Sequence, residues 1–383
     1  MTTATGGFVP PTYPFDKLTE FAELAAKLAG GPVDLSIGTP CDPPSPRIVA
    51  ALSESGAERG YPPSVGSAEL RQAAAAFLER RFAVSLSPTE ELAVCIGSKE
   101  FVTGLPQWLK LRSPWRDTVL YPALSYPSYE MGAVLAGCRA VRVPLGPTGR
   151  LDYGAISAED AGRALCLWVN SPGNPAGQIE ELDEAAEWGR ANGVFVVSDE
   201  CYAEFTWGSA PRSILQHGTE GVLALHSLSK RSNLAGVRAG FYAGDADVVG
   251  YLAATRRHAG FIVPGPVQHA AAVAYADDAS VAEQKERYSK RLLFLAAALS
   301  RAGIPAEVPE GAFYLWVRAP ERFKADPGGP GWELARYLAE RAGIIASPGE
   351  AYGPEGAGHV RLAVVQPMER LALAAARLEA EAA

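Results

Sequence analysis

Four short segments carry side chains that could do chemistry together. In HSLSKRSNLAGVRAG (226–240), Lys230 stands between two serines and an arginine, just beyond the apolar run GVLAL. GSKE (97–100) follows the run LAVCI, NSPGNPAG (170–177) follows LCLWV, and SDECY (198–202) follows VFVV. An amine beside a core strand, among small and apolar neighbours, sits where burial disfavours its charged form, which makes it a nucleophile toward carbonyls. Ser227, Ser229 and Arg238, with the Gly-Ser-Lys turn at a helix start, offer hydroxyls, backbone N–H groups and one fixed cation. That is the donor set of a phosphate site. Asp199, at a neighbouring strand end, could keep a pyridine nitrogen protonated so that the ring accepts electrons. Amine, phosphate cradle and acid together suggest pyridoxal 5'-phosphate, with Lys230 bonded to its aldehyde and afterwards carrying a proton for the substrate.

Taken singly, each segment has an ordinary reading. GSKE can be an N-cap with an acidic first turn, and NSPGNPAG is turn chemistry by composition. Asp199 can be a helix cap and Lys230 a solvated surface lysine. The combination argues for a site, because in an open parallel sheet ligands bind beyond the carboxyl ends of the strands.

The elements that must position these residues are legible as apolar runs. ELAVCI, DTVLY, AVRVPL, ALCLWV, GVFVVS and VLALHS alternate with helical patterns such as SAELRQAAAAFLERRF and ELDEAAEWGRAN. Continuous apolar strands separated by helices predict an α/β fold with a mainly parallel sheet covered by helices on both faces. The later part changes character. A long charged helix pattern, SVAEQKERYSKRLLFLAAALSRAG, precedes two strand-like segments, GAFYLWVRA and HVRLAVV, with a helix between them. This reads as a smaller α+β domain built from both chain ends. The expected division is 45–284 for the large cofactor-binding domain, with 1–44 and 285–383 for the small one.

Composition narrows the classes. The 383 residues are 48% hydrophobic and 20% charged, enough to bury a large core. The net charge of -8 has no Lys/Arg block that could follow a nucleic-acid backbone or an anionic membrane. Neither the N-terminal stretch nor the longest apolar run resembles a signal peptide or a membrane span, so a soluble cytoplasmic protein is expected. The five scattered cysteines form no CxxC pair, and the five histidines show no HxH or HExxH spacing. Neither a disulfide framework nor a metal site is therefore expected.

At these residues the chain resembles the fold-type I, class I and II aminotransferases. The family's serine-x-serine-lysine, followed by glycine-x-arginine-x-glycine, is matched by SLSKRSNLAGVRAG. Its asparagine-proline turn is similar to NSPGNPAG, and its aspartate-x-x-tyrosine to DECY. The resemblance implies Lys230 as the Schiff-base lysine and proton shuttle, and Asp199 as the partner of the pyridine nitrogen. It implies Asn174 and Tyr202 on the ring oxygen, with Asn174 also near substrate. It places Ser98, Lys99 through its backbone, Ser227, Ser229 and Arg238 on the phosphate. In YPALSYPSY it implies Tyr126 stacked on the ring and Tyr129 as structural. Tyr61 matches the tyrosine that reaches a neighbouring subunit's phosphate, which implies a homodimer. Arg361, in HVRLAVV, matches the clamp for a substrate α-carboxylate, and Gly38, in LSIGTP, a glycine whose backbone approaches that carboxylate. One departure is Ser171, inserted before the first proline of the turn, which puts the role of Asn170 in question.

Within the family, GSKEFVTGLP, HSLSKRSNLAGVRAGFYAGD and HAGFIVPGPVQ look most like N-succinyldiaminopimelate aminotransferases of lysine biosynthesis. The implied substrates are N-succinyl-LL-2,6-diaminopimelate and 2-oxoglutarate, with Glu100, Lys99 and the neighbourhood of Cys41 as candidates for the distal pocket. The alternatives are an aminotransferase specific for aspartate, alanine, aromatic amino acids or free diaminopimelate, and a β-lyase that starts from the same α-proton removal. A transcription regulator built on the same domain would need a DNA-binding module, for which the stretch before Phe8–Pro44 leaves no room.

Overall fold

The computed structural model describes residues 8–12, 16, 18–323 and 328–382. The sequence-based small domain also included residues 1–7, 13–15, 17, 324–327 and 383, which lie outside the described residues. The chain divides into two compact units, one of residues 39–290 and 309–314, the other of residues up to Gly38, 291–308 and 315–383. The sequence pattern put the boundaries at 44/45 and 284/285. The later one falls inside a single 24-residue helix, Asp278–Arg301, where no change of composition marks it.

After a two-residue strand β1 (Val33–Asp34), the chain lays down the strands of the large unit: β2 (Leu92–Cys95), β3 (Thr118–Pro122), β4 (Arg139–Val143), β5 (Ala164–Asn170), β6 (Phe195–Asp199), β7 (Val222–Ser227) and β8 (Gly240–Gly244). They form one sheet in the order β2-β8-β7-β6-β5-β3-β4. Pairing is parallel from β4 across to β7, and β8 alone runs antiparallel, between β7 and β2. The α/β expectation thus holds.

Why the strands read as continuous apolar runs is visible in β5. Leu167 and Val169 face one hydrophobic cluster, and Cys166 and Trp168 the other. A strand buried on both faces has no polar side to show. β8 escaped the sequence reading because GFYAG is short and bounded by glycines, the first of which belongs to the arginine motif before it. Gly240 is required where it stands, since a Cβ there would meet the His226 carbonyl oxygen at 2.5 Å.

In the other unit, β9 (Tyr314–Arg318), β11 (Ser347–Pro348) and β12 (His359–Ala363) form a three-stranded sheet in the order β11-β12-β9. β1 pairs in parallel with β10 (Ile344–Ile345). Among the described residues no helix is long and apolar enough to cross a membrane.

Candidate active site

Register brings the chemical residues into one row. Asn170 and Asp199, the last residues of β5 and β6, are partners across that pair. Ser227, the last residue of β7, and Cys95, the last of β2, both face Gly240 at the start of β8. Because β8 is antiparallel, it begins where its parallel neighbours end. Arg238, two residues before it, therefore lies at the same edge as the loops carrying Ser98, Asn174, Tyr202 and Lys230.

Asp199 is buried, and burial pushes its carboxyl above the ordinary carboxylate range. Hydrogen bonds from Cys201 and Tyr129 and the charge of His226 partly offset this. The Tyr129 hydroxyl donates to Oδ2 at 2.9 Å, and the Cys201 amide to Oδ1 at 3.2 Å. Among the described residues no lysine or arginine forms an ion pair with it. The Cys201 thiol hydrogen-bonds both Asp199 and Ser98, and burial raises its pKa well above the ordinary value, so it is a neutral spacer rather than a nucleophile. On the other side, Asn170 Nδ2 donates to the Asp199 carbonyl at 2.9 Å and its Oδ1 accepts the Asn174 amide at 2.8 Å. The residue that the Ser171 insertion put in question is the clamp between the two loops.

The donors for an anion gather a short way along the row. Helix Ser98–Arg112 starts at Gly97, which has φ +73° and caps the helix with no side-chain hydrogen bond. A Cβ on Gly97 would meet Arg238 Nη2 at 2.3 Å, so the guanidinium lies against bare backbone at the helix start. Arg238 Nη1 donates to Ser229 Oγ at 3.2 Å, and Ser227 Oγ lies 3.0 Å from Ser229 Oγ. Arg238 itself has φ +60°, a left-handed conformation costing a non-glycine residue about 1–2 kcal/mol. Its Nη1 also donates to the Ala235 carbonyl at 2.9 Å, which holds it there. Glu100, the acid of that first turn, is engaged bidentately by Arg256 at 2.6 and 2.8 Å. That makes it one half of a structural ion pair.

These residues fit pyridoxal phosphate. Two hydroxyls, a guanidinium and a helix start suit a phosphate dianion, and the buried carboxylate, with no lysine or arginine ion pair among the described residues, suits a protonated ring nitrogen. Lys230, half-buried, follows Ser229 in the short helix Leu228–Arg231, whose N-cap Ser227 accepts the Ser229 amide. Tyr126 is half-buried, with Lys99 Nζ 6.0 Å from its ring centroid. Tyr61 is 99% exposed in the single chain. Arg361 and Gly38 belong to the small unit. There Arg361 is buried, lies 4.8 Å from the Tyr352 ring centroid and donates to the Ser36 carbonyl, two residues before Gly38.

Tyr129 and Asn170 are the positioning residues that sequence reasoning undervalued. The only signal was their closeness in sequence to assigned residues. Glu180 gave none. It is buried behind the 170–177 turn, accepts the Leu151 amide at 3.1 Å, and its own amide donates to Ser171 Oγ at 3.1 Å. Burial raises its pKa from 4.5 to about 7 despite the hydrogen bonds that the carboxyl accepts from the Leu151 amide and Gln178 and the charge of Arg150. Between those values the unfolded chain gives up a proton that the folded chain keeps, so stability falls as pH rises through that window. The loss levels off above about 7 and amounts to about 3 kcal/mol. Glu180→Gln is expected to remove it. Thermal denaturation should show variant and wild type alike near pH 4.5, with the variant several degrees more stable at pH 8.

Residues 31–378 match the family described as Aminotransferase class I and II. The probable aminotransferase Rv1178 of Mycobacterium tuberculosis is 41% identical, over 96% of this chain and 85% of its own length. The 4-dedimethylamino-4-oxo-anhydrotetracycline transaminase OxyQ of Streptomyces rimosus is 39% identical, over 96% of this chain and 99% of its own. Among solved structures, the probable N-succinyldiaminopimelate aminotransferase of Thermus thermophilus superposes with a TM-score of 0.85 at 31% identity, covering 96% of this chain and all of that one. The chain belongs to the class I and II aminotransferases, enzymes that depend on pyridoxal phosphate.

Proposed function

We propose that the protein is a cytoplasmic homodimer that exchanges an amino group between N-succinyl-LL-2,6-diaminopimelate and 2-oxoglutarate. The observation that carries the chemistry is the row of Asn170, Asp199, Ser227 and Arg238 at one sheet edge, with Lys230 beside it. Bound pyridoxal phosphate supplies an aldehyde that condenses with amines and a ring that takes up the electron pair left when the substrate α-carbon loses its proton. Lys230 Nζ would take that proton and return one. The Asp199 carboxylate would hold a proton on the ring nitrogen, while Asn174 and Tyr202 would hydrogen-bond the ring oxygen and Tyr126 would stack on the ring. Ser98, the Lys99 amide, Ser227, Ser229 and Arg238 would bind the phosphate. Tyr61, so exposed in the single chain, would reach the phosphate held by a second copy. Arg361 would clamp the α-carboxylate common to both substrates, with the Gly38 backbone close to it.

The choice of substrate rests on the segments GSKEFVTGLP and HAGFIVPGPVQ and on the likeness to the Thermus protein. A second reading, amino transfer to a polycyclic ketone, is favoured by one observation: identity to the Streptomyces transaminase is 39%, against 31% to the Thermus chain. A panel of amino donors assayed against 2-oxoglutarate tests the assignment, using succinylated and free diaminopimelates, aspartate, alanine and aromatic amino acids. The succinylated donor is expected to exceed every other in kcat/KM by about 100-fold or more, the upper part of what pocket contacts discriminate. A better rate with any other donor would overturn the substrate. Pyruvate released from cystathionine without 2-oxoglutarate would move the assignment to a β-lyase.

A further inference from the structure

The hydroxyls of Tyr202 and Tyr314 lie 2.6 Å apart, in hydrogen-bond contact, and both side chains are buried. Tyr202 is the phenol that the functional reading turns toward the cofactor ring oxygen. Tyr314 has so far been only the first residue of β9.

Its position is over-determined. Residues 309–314 group with the large unit although the rest of β9 does not. The Gly311 amide donates to the Gly177 carbonyl at 2.8 Å, the Ala312 amide to the Phe205 carbonyl at 2.7 Å and the Trp207 amide to the Glu310 carbonyl at 2.8 Å. The Trp207 indole adds a bond to the Ala312 carbonyl at 2.8 Å. Gly311 is the residue that lets the segment in, because a Cβ there would meet Pro172 at 2.5 Å and the Phe205 carbonyl at 3.0 Å. The Phe313 ring packs 5.4 Å from Tyr202 and 4.9 Å from Tyr314, with Tyr288 4.7 Å from Phe313 on its other contact. A segment pinned to both the 170–177 turn and the 202–207 loop brings the second phenol to the first.

A phenol has one proton to give and lone pairs with which to accept. If Tyr202 gives its proton to the ring oxygen, the bond between the two tyrosines must run from Tyr314 to Tyr202. Donation into the Tyr202 oxygen polarises its O–H and makes it the stronger donor. We propose that Tyr314 is a positioning residue for the reaction, whose hydroxyl donates to Tyr202 and so directs the Tyr202 proton toward the cofactor. The proposal rests on the assignment of Tyr202 made above.

The test is the pH midpoint of the visible absorbance change in the cofactor-loaded protein, measured for Tyr314→Phe, Tyr202→Phe and the double variant. A hydrogen bond donated to the ring oxygen stabilises its anionic form, so weakening that bond moves the midpoint upward. Tyr314→Phe keeps the ring that packs on Phe313 and is expected to raise the midpoint by about half a unit to one unit. Tyr202→Phe should raise it further, and adding Tyr314→Phe to that variant should change nothing, the signature of one residue acting through another. An unchanged midpoint in Tyr314→Phe, or an equal shift with and without the Tyr202 hydroxyl, would overturn the proposal while leaving Tyr202 in its role. An unchanged midpoint in Tyr202→Phe would remove that role and the proposal with it.

Discussion

Lys230→Ala is expected to reduce transamination by at least about four orders of magnitude and to abolish the part of the visible absorbance of the cofactor-loaded protein that depends on the bond to the lysine. Two losses combine. Proton transfer by a positioned side chain contributes about 10²–10⁴-fold, and on the proposed reading the same amine would be the covalent attachment point. Four orders correspond to about 5.5 kcal/mol of barrier. The rest of the site should survive the change. Lys230 lies on the four-residue helix capped by Ser227, whose hydroxyl accepts the Ser229 amide at 3.2 Å whatever side chain follows. Phosphate binding through Ser227, Ser229 and Arg238 is therefore expected to remain, and cofactor should still be retained on dialysis, with only the absorbance of its unbonded aldehyde. Borohydride treatment and peptide mass analysis complete the test. The wild-type peptide containing residue 230 should gain the mass of the reduced cofactor and the variant peptide should not. Full turnover in the variant would remove the lysine from the chemistry.

How much of this was legible in the sequence depended on whether a residue's environment is local. Six of the seven central strands stood out, five of them because burial on both faces makes a strand continuously apolar while the edge strand β4 keeps Arg139 and Arg142 exposed, and the residues after them stood out because strand ends in such a sheet are where polar groups collect. β8 was hidden: five residues between glycines carry little apolar signal, yet its antiparallel direction is what delivers Arg238 to the edge. Ser227, Ser229 and Lys230 share one short segment, so their mutual geometry follows from adjacency. The links made at a distance had no such signal. Tyr129 reaches Asp199 across 70 positions and Tyr314 reaches Tyr202 across 112, and nothing in either segment announces its partner. Glu100 shows the converse case. An acid next to a phosphate motif invites a functional reading, but Arg256, 156 positions away, consumes it. The division between the units was similarly obscured, since one helix runs through it.

Asp199→Asn is expected to lower kcat/KM by about 10²–10³-fold, the usual effect of removing one electrostatic stabiliser from an enclosed site. The same substitution should make the cofactor-free protein more stable at neutral pH. Both signs follow from one fact, the raised pKa of a buried carboxyl that has hydrogen bonds and the nearby His226 but, among the described residues, no lysine or arginine ion pair. In the cofactor-free fold its stabilising contribution is complete below the ordinary carboxylate pKa of 3.8 and is lost as pH rises through the folded value, because the unfolded chain releases the proton first. An amide of the same shape has no proton to lose. It can still accept from Tyr129 or the Cys201 amide, so packing around Trp168, which stacks 5.1 Å from Tyr129, is undisturbed. With the cofactor bound, a proton on the ring nitrogen would supply positive charge beside it, and the carboxylate that burdens the cofactor-free fold would become the group that keeps that proton in place. Denaturation of the cofactor-free proteins at pH 5 and pH 8, set beside their kcat/KM values, separates this account from simple damage. Damage would lower stability and activity together, whereas an electrostatic role requires the variant's stability advantage to grow with pH while its turnover stays low. Near-normal activity in the variant would show that the ring nitrogen does not depend on Asp199.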